Sequence, residues 1–380
     1  MENIKLNFTG DLSLTGIFYN KVANNEQIFD NNVISLLTNC DFNICNFEGP
    51  ATNEKVIFSP DANVVSPYNS IHYLKQKGFN VFNLANNHTF DSGFKGFTDT
   101  KSSIIKESCL YFGAGDDIQD ASNIVYLKKN DITISLLGIC GKGAALMADK
   151  NSPGVFFDKY IDVLKRKIRE ARSNSDFVIL NYHGGEEYIT IPMPKRRRFL
   201  KKLINYDIDI IIAHHPHVLQ GIEKSGQKTI FYSLGNFVFD IMHHRQHPLT
   251  VKGAIINCEF TKDSYDYKLF PIHINLESGI VESIDDSFFS DYIDSISDFT
   301  HYYMKWMKDS NRIFSQHINV AKDKRNSGIY GKPKKNPFFN YLFSKITYKT
   351  LYSYLKNENA RPMFLGFVFY RLLKKTRILS

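Results

Sequence analysis

Ile208-Asp209-Ile210-Ile211-Ile212-Ala213-His214-His215-Pro216-His217 is an apolar run that stops abruptly on a set of histidines. A short apolar run bounded by turn residues reads as a buried strand. The same form occurs four more times. Ile4 to Phe8 leads to Gly10-Asp11, Phe42 to Cys45 to Asn46-Phe47-Glu48-Gly49, Val81 to Ala85 to Asn86-Asn87-His88, and Phe177 to Leu180 to His183-Gly184-Gly185. Ligands in sheet proteins gather where the carboxyl ends of strands meet loops, so these ends predict one shared polar site. Asp, Glu, Asn and His, with Cys absent from the clusters, are donors suited to Zn, Mn, Fe or Mg. A metal-dependent hydrolase is the leading expectation.

The chain has 380 residues and a net charge of +8. That length suggests two domains, or one large α/β domain with an appendage. No apolar run approaches the roughly 18 residues of a membrane helix, and residues 1 to 8 pass straight into a strand pattern. A cytoplasmic protein is expected, peripheral at the inner face of the membrane if its basic segment binds lipid. Cys40, Cys45, Cys109, Cys140 and Cys258 are odd in number and show no Cys-x-x-Cys pair, which favours reduced thiols. The charge is unevenly placed: residues 301–380 hold 17 Lys+Arg and 3 Asp+Glu, a charge of +14, which leaves −6 on the rest. The partner of such a segment should be anionic, whether an acidic polymer or a membrane surface.

Strand-like runs alternate with amphipathic helical ones (34–37, 71–77, 98–108, 161–171 and 196–204) up to about residue 285, the pattern of a layered α/β domain. After His217 the runs 229–232, 253–260 and 267–274 read as strands with little helix between them, expected to form a second, largely antiparallel sheet. A domain covering 1–288 and a basic helical extension covering 289–380 follow. Within the extension, 291–320 reads as helix, 321–337 as a Lys/Gly/Pro-rich linker, and the aromatic, basic remainder as further helix. Residues 363–379 have the composition of an interfacial helix on anionic lipid, and equally of a helix docking its apolar side on the body.

Taken with Asp91-Ser92-Gly93, the longer strings His183-Gly184-Gly185-Glu186-Glu187-Tyr188 and His214 to Gly221, and Tyr232-Ser233-Leu234-Gly235-Asn236-Phe237-Val238-Phe239, these motifs resemble the CapA family. That family is named for poly-γ-glutamate capsule biosynthesis and is a branch of the calcineurin-like metallophosphoesterases. The resemblance spans residues 4 to about 275. It implies a four-layer α/β/β/α sandwich of two mixed sheets with a centre of two divalent metal ions. By the same resemblance Asp11 and His217 are ligands of one metal, Asn87, His183 and His215 of the other, and Glu48 bridges them. His88 takes the place of the superfamily's catalytic, non-ligand histidine, and Asn236 is expected to contact substrate. Glu186, three residues beyond His183, reads as a group that orients a ligand or contacts substrate, and equally as a solvated loop carboxylate. Two cations about 3.5–4 Å apart would acidify a shared water and clamp a phosphoester, and an amide is the other bond such clamps cleave. Spacing alone leaves either His214 or His215 as partner to His217.

Two departures from the family pattern stand out. The superfamily's Asp-x-His opening is absent, since Asp11 is followed by Leu12-Ser13, and Ala213 replaces the Gly before the paired histidines. A non-catalytic accessory protein, binding polymer or membrane on the same fold, is the alternative to a hydrolase acting on an anionic polymer or phosphorylated substrate. Nucleic acid is not an expected partner. His243, His244 and His247 read as a surface loop, with a further metal or phosphate site as the other option. Lys195-Arg196-Arg197-Arg198 reads as a solvated helix face, with recognition of substrate anions as the other option.

Overall fold

The computed structural model describes residues 3–58, 64–141, 143, 146–285, 289–326, 364–368 and 370, without the side chains of 317–326. Its strands are β1 (Ile4–Leu12), β2 (Phe42–Phe47), β3 (Val81–Asn83), β4 (Leu110–Phe112), β5 (Ala114–Gly115), β6 (Val125–Lys129), β7 (Ile132–Cys140), β8 (Gly154–Val155), β9 (Phe177–His183), β10 (Ile210–His214), β11 (Leu219–Ser225), β12 (Lys228–Leu234), β13 (Asn236–Val238), β14 (Lys252–Phe260), β15 (Tyr265–Asn275) and β16 (Ile280–Ser283). The helices are α1 (Ile17–Ala23), α2 (Asn31–Thr38), α3 (Ser70–Gln76), α4 (Gly93–Lys106), α5 (Ile118–Ala121), α6 (Ile161–Asn174), α7 (Pro194–Leu203), α8 (Phe289–Ser297) and α9 (Tyr302–Asn326).

Period-two alternation decides which face each strand buries. On β10, Ile210 and Ile212 enter a core shared by both large sheets, while Ile211 and Ala213 meet α6 and α7. On β9, Phe177 and Ile179 take the first side and Val178 and Leu180 the second. On β2, Ile44 faces the opposite sheet while Cys45 and Phe47 face α1 to α4. The result is four layers, α/β/β/α.

Both large sheets are mixed. One runs β16-β15-β14-β1-β2-β3-β4 with β13 beside β1, and the other runs β11-β12-β10-β9-β7-β6. This corrects the expectation that the strands after His217 form a sheet of their own. β14, β15 and β16 extend the N-terminal sheet in antiparallel fashion, while β12 joins β10 in parallel and β11 closes that edge. Local pattern reports that a strand is half-buried, not which edge it joins.

At one place the chain passes directly from a strand of one sheet to a strand of the other. Leu234-Gly235-Asn236 passes from β12 in one sheet to β13 in the other, and the Asp11 amide donates to Gly235 O at 3.0 Å. Gly10 permits this: a Cβ there would lie 2.1 Å from Gly235 O. The functional strand ends are thereby brought to a single edge.

α9 runs through 321–326, so the helix continues into the segment expected as linker; 327–337 and the tail aromatics before 364 lie outside the described residues. Phe364 and Phe367 pack on Phe314 of α9, with ring centroids 5.4 and 4.6 Å away. Among the described residues no helix is long and apolar enough to cross a membrane, and Cys40, Cys45, Cys109 and Cys258 are free thiols.

Gly10→Ala should cost about 3 kcal/mol, because its methyl meets backbone that cannot swing aside. Gly143→Ala, with nothing within 4 Å of the added Cβ, should be near neutral. Urea unfolding of both variants decides; similar losses would refute the close-approach account.

Candidate metal centre

Asp11 is the penultimate residue of β1, and Glu48 follows the end of β2, its amide donating to Leu12 O at 2.8 Å. Asp11 is in register with Asn46 on one side and Asn236 of β13 on the other. Across the junction His183 ends β9 in register with His214, the last residue of β10. Asn87 and His88 lie in the turn between β3 and α4. The structure therefore brings Asp11, Glu48, Asn87, His88, His183, His215 and His217 to one place.

Glu48 is fully buried, and neither of its oxygens has a hydrogen bond. Its Oε1 stands 3.9 Å from His88 Nε2, 3.8 Å from His183 Nε2 and 3.9 Å from His217 Nε2. These separations are too long for hydrogen bonds. A buried carboxylate without hydrogen bonds costs free energy unless a cation meets it. Two sets of donor atoms lie within 4.8 Å of one another, Glu48 with His183 and His215, and Asp11 with Glu48 and His217; Glu48 is common to both. An orphaned carboxylate shared by two carboxylate–imidazole sets fits divalent cations.

Hydrogen bonds orient the remaining donors. Asn46 Nδ2 donates to Asp11 Oδ1 at 2.8 Å and lies 3.2 Å from His183 Nδ1, while its own carbonyl accepts from Asn83 Nδ2 at 2.9 Å. His183 Nε2 is 2.6 Å from Asn87 Oδ1. His217 Nδ1 is 2.9 Å from Asn236 Oδ1 and 3.2 Å from Asp11 Oδ2. Both partners are acceptors, so Nδ1 carries the hydrogen and Nε2 faces Glu48. His88 repeats the arrangement: Nδ1 is 2.6 Å from Asp91 Oδ2 and Nε2 faces Glu48.

Charge follows burial and these contacts. Burial acts to raise the Asp11 pKa, but the hydrogen bond and charge of His217, with His214 and His183, hold it well below the usual range. Burial, then the Asp11 charge, push Glu48 well above its usual value, offset in part by His217. Burial works against protonated His217, yet Glu48 and Asp11 raise it to about 9. Burial keeps His183 neutral and, against the pull of Asp11, lowers His214 to about 4.

The backbone carrying the histidine pair is strained. His215 has φ +96° and His217 φ +56°, conformations that cost non-glycine residues of order 1–3 kcal/mol each. The His215 amide donates to Asp11 Oδ2 at 3.1 Å, and Pro216 O accepts from the Tyr188 amide at 2.8 Å. His215 is the histidine grouped with Glu48 and His183. His214 lies behind, its Nδ1 3.5 Å from Asp11 Oδ1.

The two glutamates after His183 diverge. Glu186 is buried, and its charge acts on Tyr182, Arg196 and Tyr302. Glu187 faces the centre, with Oε1 3.5 Å from His215 Nε2 and its charge acting on Glu48 and His217. Asn236 is buried against His217 and donates to Thr250 O at 2.9 Å. Sequence reasoning gave no role to Asn46, Asp91 or Glu187. Asn46 precedes Glu48 by two and so shares its side of the strand, and Asp91 follows His88 by three, within reach in a turn. Nothing in the sequence separates Glu187 from Glu186.

Two expectations of exposure are overturned in part. His244 and His247 are buried, the first with its ring centroid 4.3 Å from His217 and the second stacked on Tyr188 at 3.8 Å; His243 alone is exposed. Arg196 is buried and donates to Tyr232 O at 3.2 Å, while Arg197 is bidentate to Glu223 at 2.8 and 2.7 Å. Lys195 and Arg198 are exposed as expected of a solvated helix face, so α7 turns only Arg196 and, in part, Arg197 inward.

The family model described as bacterial capsule synthesis protein PGA_cap matches residues 5–241. The chain is 37% identical over 253 residues to the capsule biosynthesis protein CapA of Bacillus anthracis, covering 63% of this chain and 61% of that one. It is 37% identical over 246 residues to the PGA biosynthesis protein CapA of Bacillus subtilis (strain 168), covering 62% and 63%. The match thus spans less than two thirds of either relative. A putative 5'-nucleotidase from Staphylococcus aureus aligns at TM-score 0.45 and 14% identity, over 78% of this chain and 59% of that one.

Because the folded-state pKa of Glu48 is raised, its contribution to stability is present below about pH 4.5 and is lost as pH rises through the folded value. Glu48→Gln should therefore stabilise the cation-free protein by about 1–3 kcal/mol at pH 7. The gain should shrink toward pH 4, and stabilisation by added divalent cation should disappear. Unfolding in chelator against pH tests this; a variant less stable than wild type at pH 7 would contradict it.

Proposed function

The chain belongs to the bacterial capsule synthesis protein family, and from that membership we propose that it is a two-metal hydrolase acting on a phosphoester in the making of a capsule or other cell-surface polymer. The observation that carries the reading is the Glu48 carboxylate, without hydrogen bonds and common to both donor sets. In this reading Asp11 and His217 would hold one divalent cation, Asn87, His183 and His215 the other, and Glu48 would serve both. Bound divalent cations supply Lewis-acid polarisation and neutralise charge developing at a phosphoryl centre.

The protein's own groups do the rest. Asp91 fixes His88 through Nδ1 and leaves Nε2 toward the centre; as the imidazolium, His88 gives its Nε2 proton to the leaving oxygen and becomes the neutral ring that keeps its Nδ1 hydrogen on Asp91. Asn236 and Asp11 set the tautomer of His217, as outer partners of ligating histidines do. Asn46 ties Asp11 to His183 across the sheet junction. The +14 charge of residues 301–380 suits an anionic polymer or an anionic membrane surface as partner.

Ser13 favours a second reading, a polymer-binding accessory without turnover. It stands where the superfamily's histidine would be, and its hydroxyl is buried without a hydrogen bond. Among the described residues the Asp11 side then groups Asp11, Glu48 and His217 as its carboxylate and imidazole donors.

Elemental analysis of the full chain with turnover of bis-(p-nitrophenyl) phosphate separates the readings. The hydrolase should carry divalent metal, and His88→Ala should lower turnover about 10²- to 10⁴-fold at unchanged metal content. Metal without turnover would favour the accessory, and no metal at all would defeat both assignments of the centre.

A further inference from the structure

α9 lies beyond residues 5–241, the part that matches the family, yet it touches the segment that follows His183. We propose that α9 is a positioning element of the metal centre, with Asp309 and Arg312 holding the Tyr188 segment that in turn pins the His215-Pro216-His217 turn. The proposal rests on the reading of His215 and His217 as metal ligands.

Each link is a contact. Asp309 Oδ2 accepts from the Thr190 amide at 2.6 Å and from Thr190 Oγ1 at 3.0 Å, and its Oδ1 accepts from Arg312 Nε at 2.7 Å. Arg312 is thereby aimed, and donates to Tyr188 O at 3.0 Å. Tyr302 OH donates to Pro192 O at 2.5 Å. Ile189 and Ile191 pack in one apolar cluster with Trp306, Ile313 and Phe314. The held segment delivers its effect through the Tyr188 amide, which donates to Pro216 O at 2.8 Å, between the two histidines.

The backbone explains why holding is needed. Tyr188 at φ +66°, His215 at +96° and His217 at +56° are all left-handed without being glycine, and such conformations persist only where surrounding contacts over-determine them. Pro216 has no amide hydrogen, so the turn cannot satisfy itself from that residue. The Tyr188 amide supplies an outside bond at that point, and α9 fixes Tyr188. Glu187, 3.5 Å from His215, is carried on the same segment.

The test uses the full chain with Asp309→Ala, Arg312→Ala, the milder Arg312→Met, and Lys308→Ala on the exposed side of α9 as control. Two measurements are made: Mn²⁺ affinity by calorimetry, and hydrogen exchange of residues 186–190 and 214–218 in chelator. Expected are a Mn²⁺ Kd about tenfold weaker or more in the Asp309 and Arg312 variants, and faster exchange in both segments, with Lys308→Ala like wild type. A purely structural role would lower the melting temperature while leaving the Kd of the folded protein unchanged. Folded variants with wild-type Kd and wild-type exchange at 214–218 overturn the proposal. If the wild type itself binds no Mn²⁺, the metal reading fails, and exchange at 214–218 decides the coupling alone. Should Asp309→Ala and Arg312→Ala not fold, Arg312→Met, which keeps the apolar stem and loses the bond to Tyr188 O, decides by the same two readouts.

Discussion

Asp11 and Glu48 are two carboxylates on neighbouring strand ends, both without access to water, and the charge they bring sets what else the sheet junction must contain. Taking a carboxylate out of water costs several kcal/mol unless hydrogen bonds or an opposite charge replace the solvent. For Asp11 the replacement is visible in Asn46, the His215 amide and His217. Glu48 has no such set, only imidazole nitrogens held just beyond hydrogen-bonding reach. The fold can place both acids here because Gly10 and Gly235 let one sheet's edge pass against the other's, and because parallel strands deliver their carboxyl ends to the same side.

The same junction stores strain. Left-handed backbone at His215 and His217 breaks from the extended strand that ends at His214, and both imidazoles reach the donor sets that contain the acids. That conformation is unfavourable by itself, so its persistence depends on the bonds around it. The Asp11 carboxylate holds the His215 amide and the Tyr188 amide holds Pro216. Acid and histidine thus support one another: removing either loosens the geometry of both.

Much of this was legible in the sequence, and the limits are physical. Strand ends could be read because apolar runs and their stops are local features, so Asp11, Glu48, Asn87, His88, His183 and the histidine pair stood out. The choice between His214 and His215 was not readable, since it depends on a φ reversal that no spacing encodes. Glu186 and Glu187 are chemically equivalent in the sequence, and only the turn after His183 sends one to Arg196 and the other to His215. Burial of Arg196 and of His244 and His247 was missed for a related reason: a charged or titratable residue is a prior for exposure, and tertiary partners alone reverse it. The sheet membership of β14 to β16 depends on long-range pairing, which alternation does not specify.

Arg196 shows how the strand ends are held from behind. Its guanidinium is buried, donates to Tyr232 O at 3.2 Å and reaches toward His214 O at 3.4 Å, so it bridges the ends of β12 and β10. Gly185 makes room, since a Cβ there would lie 2.1 Å from the guanidinium. Its Nε and one terminal nitrogen have no hydrogen bond, so a neutral residue would be easier to bury. A positive charge is nonetheless consistent with the surroundings, because Tyr182, Glu186, Tyr232 and Asp11 all favour it electrostatically against the cost of burial. The cation also keeps His214 neutral, as burial does. Arg196 thus bonds the strand ends that lead into the His215-Pro216-His217 turn, while the Tyr188 amide bonds the turn itself at Pro216 O, so the strained pair of imidazoles is held both before and within the turn.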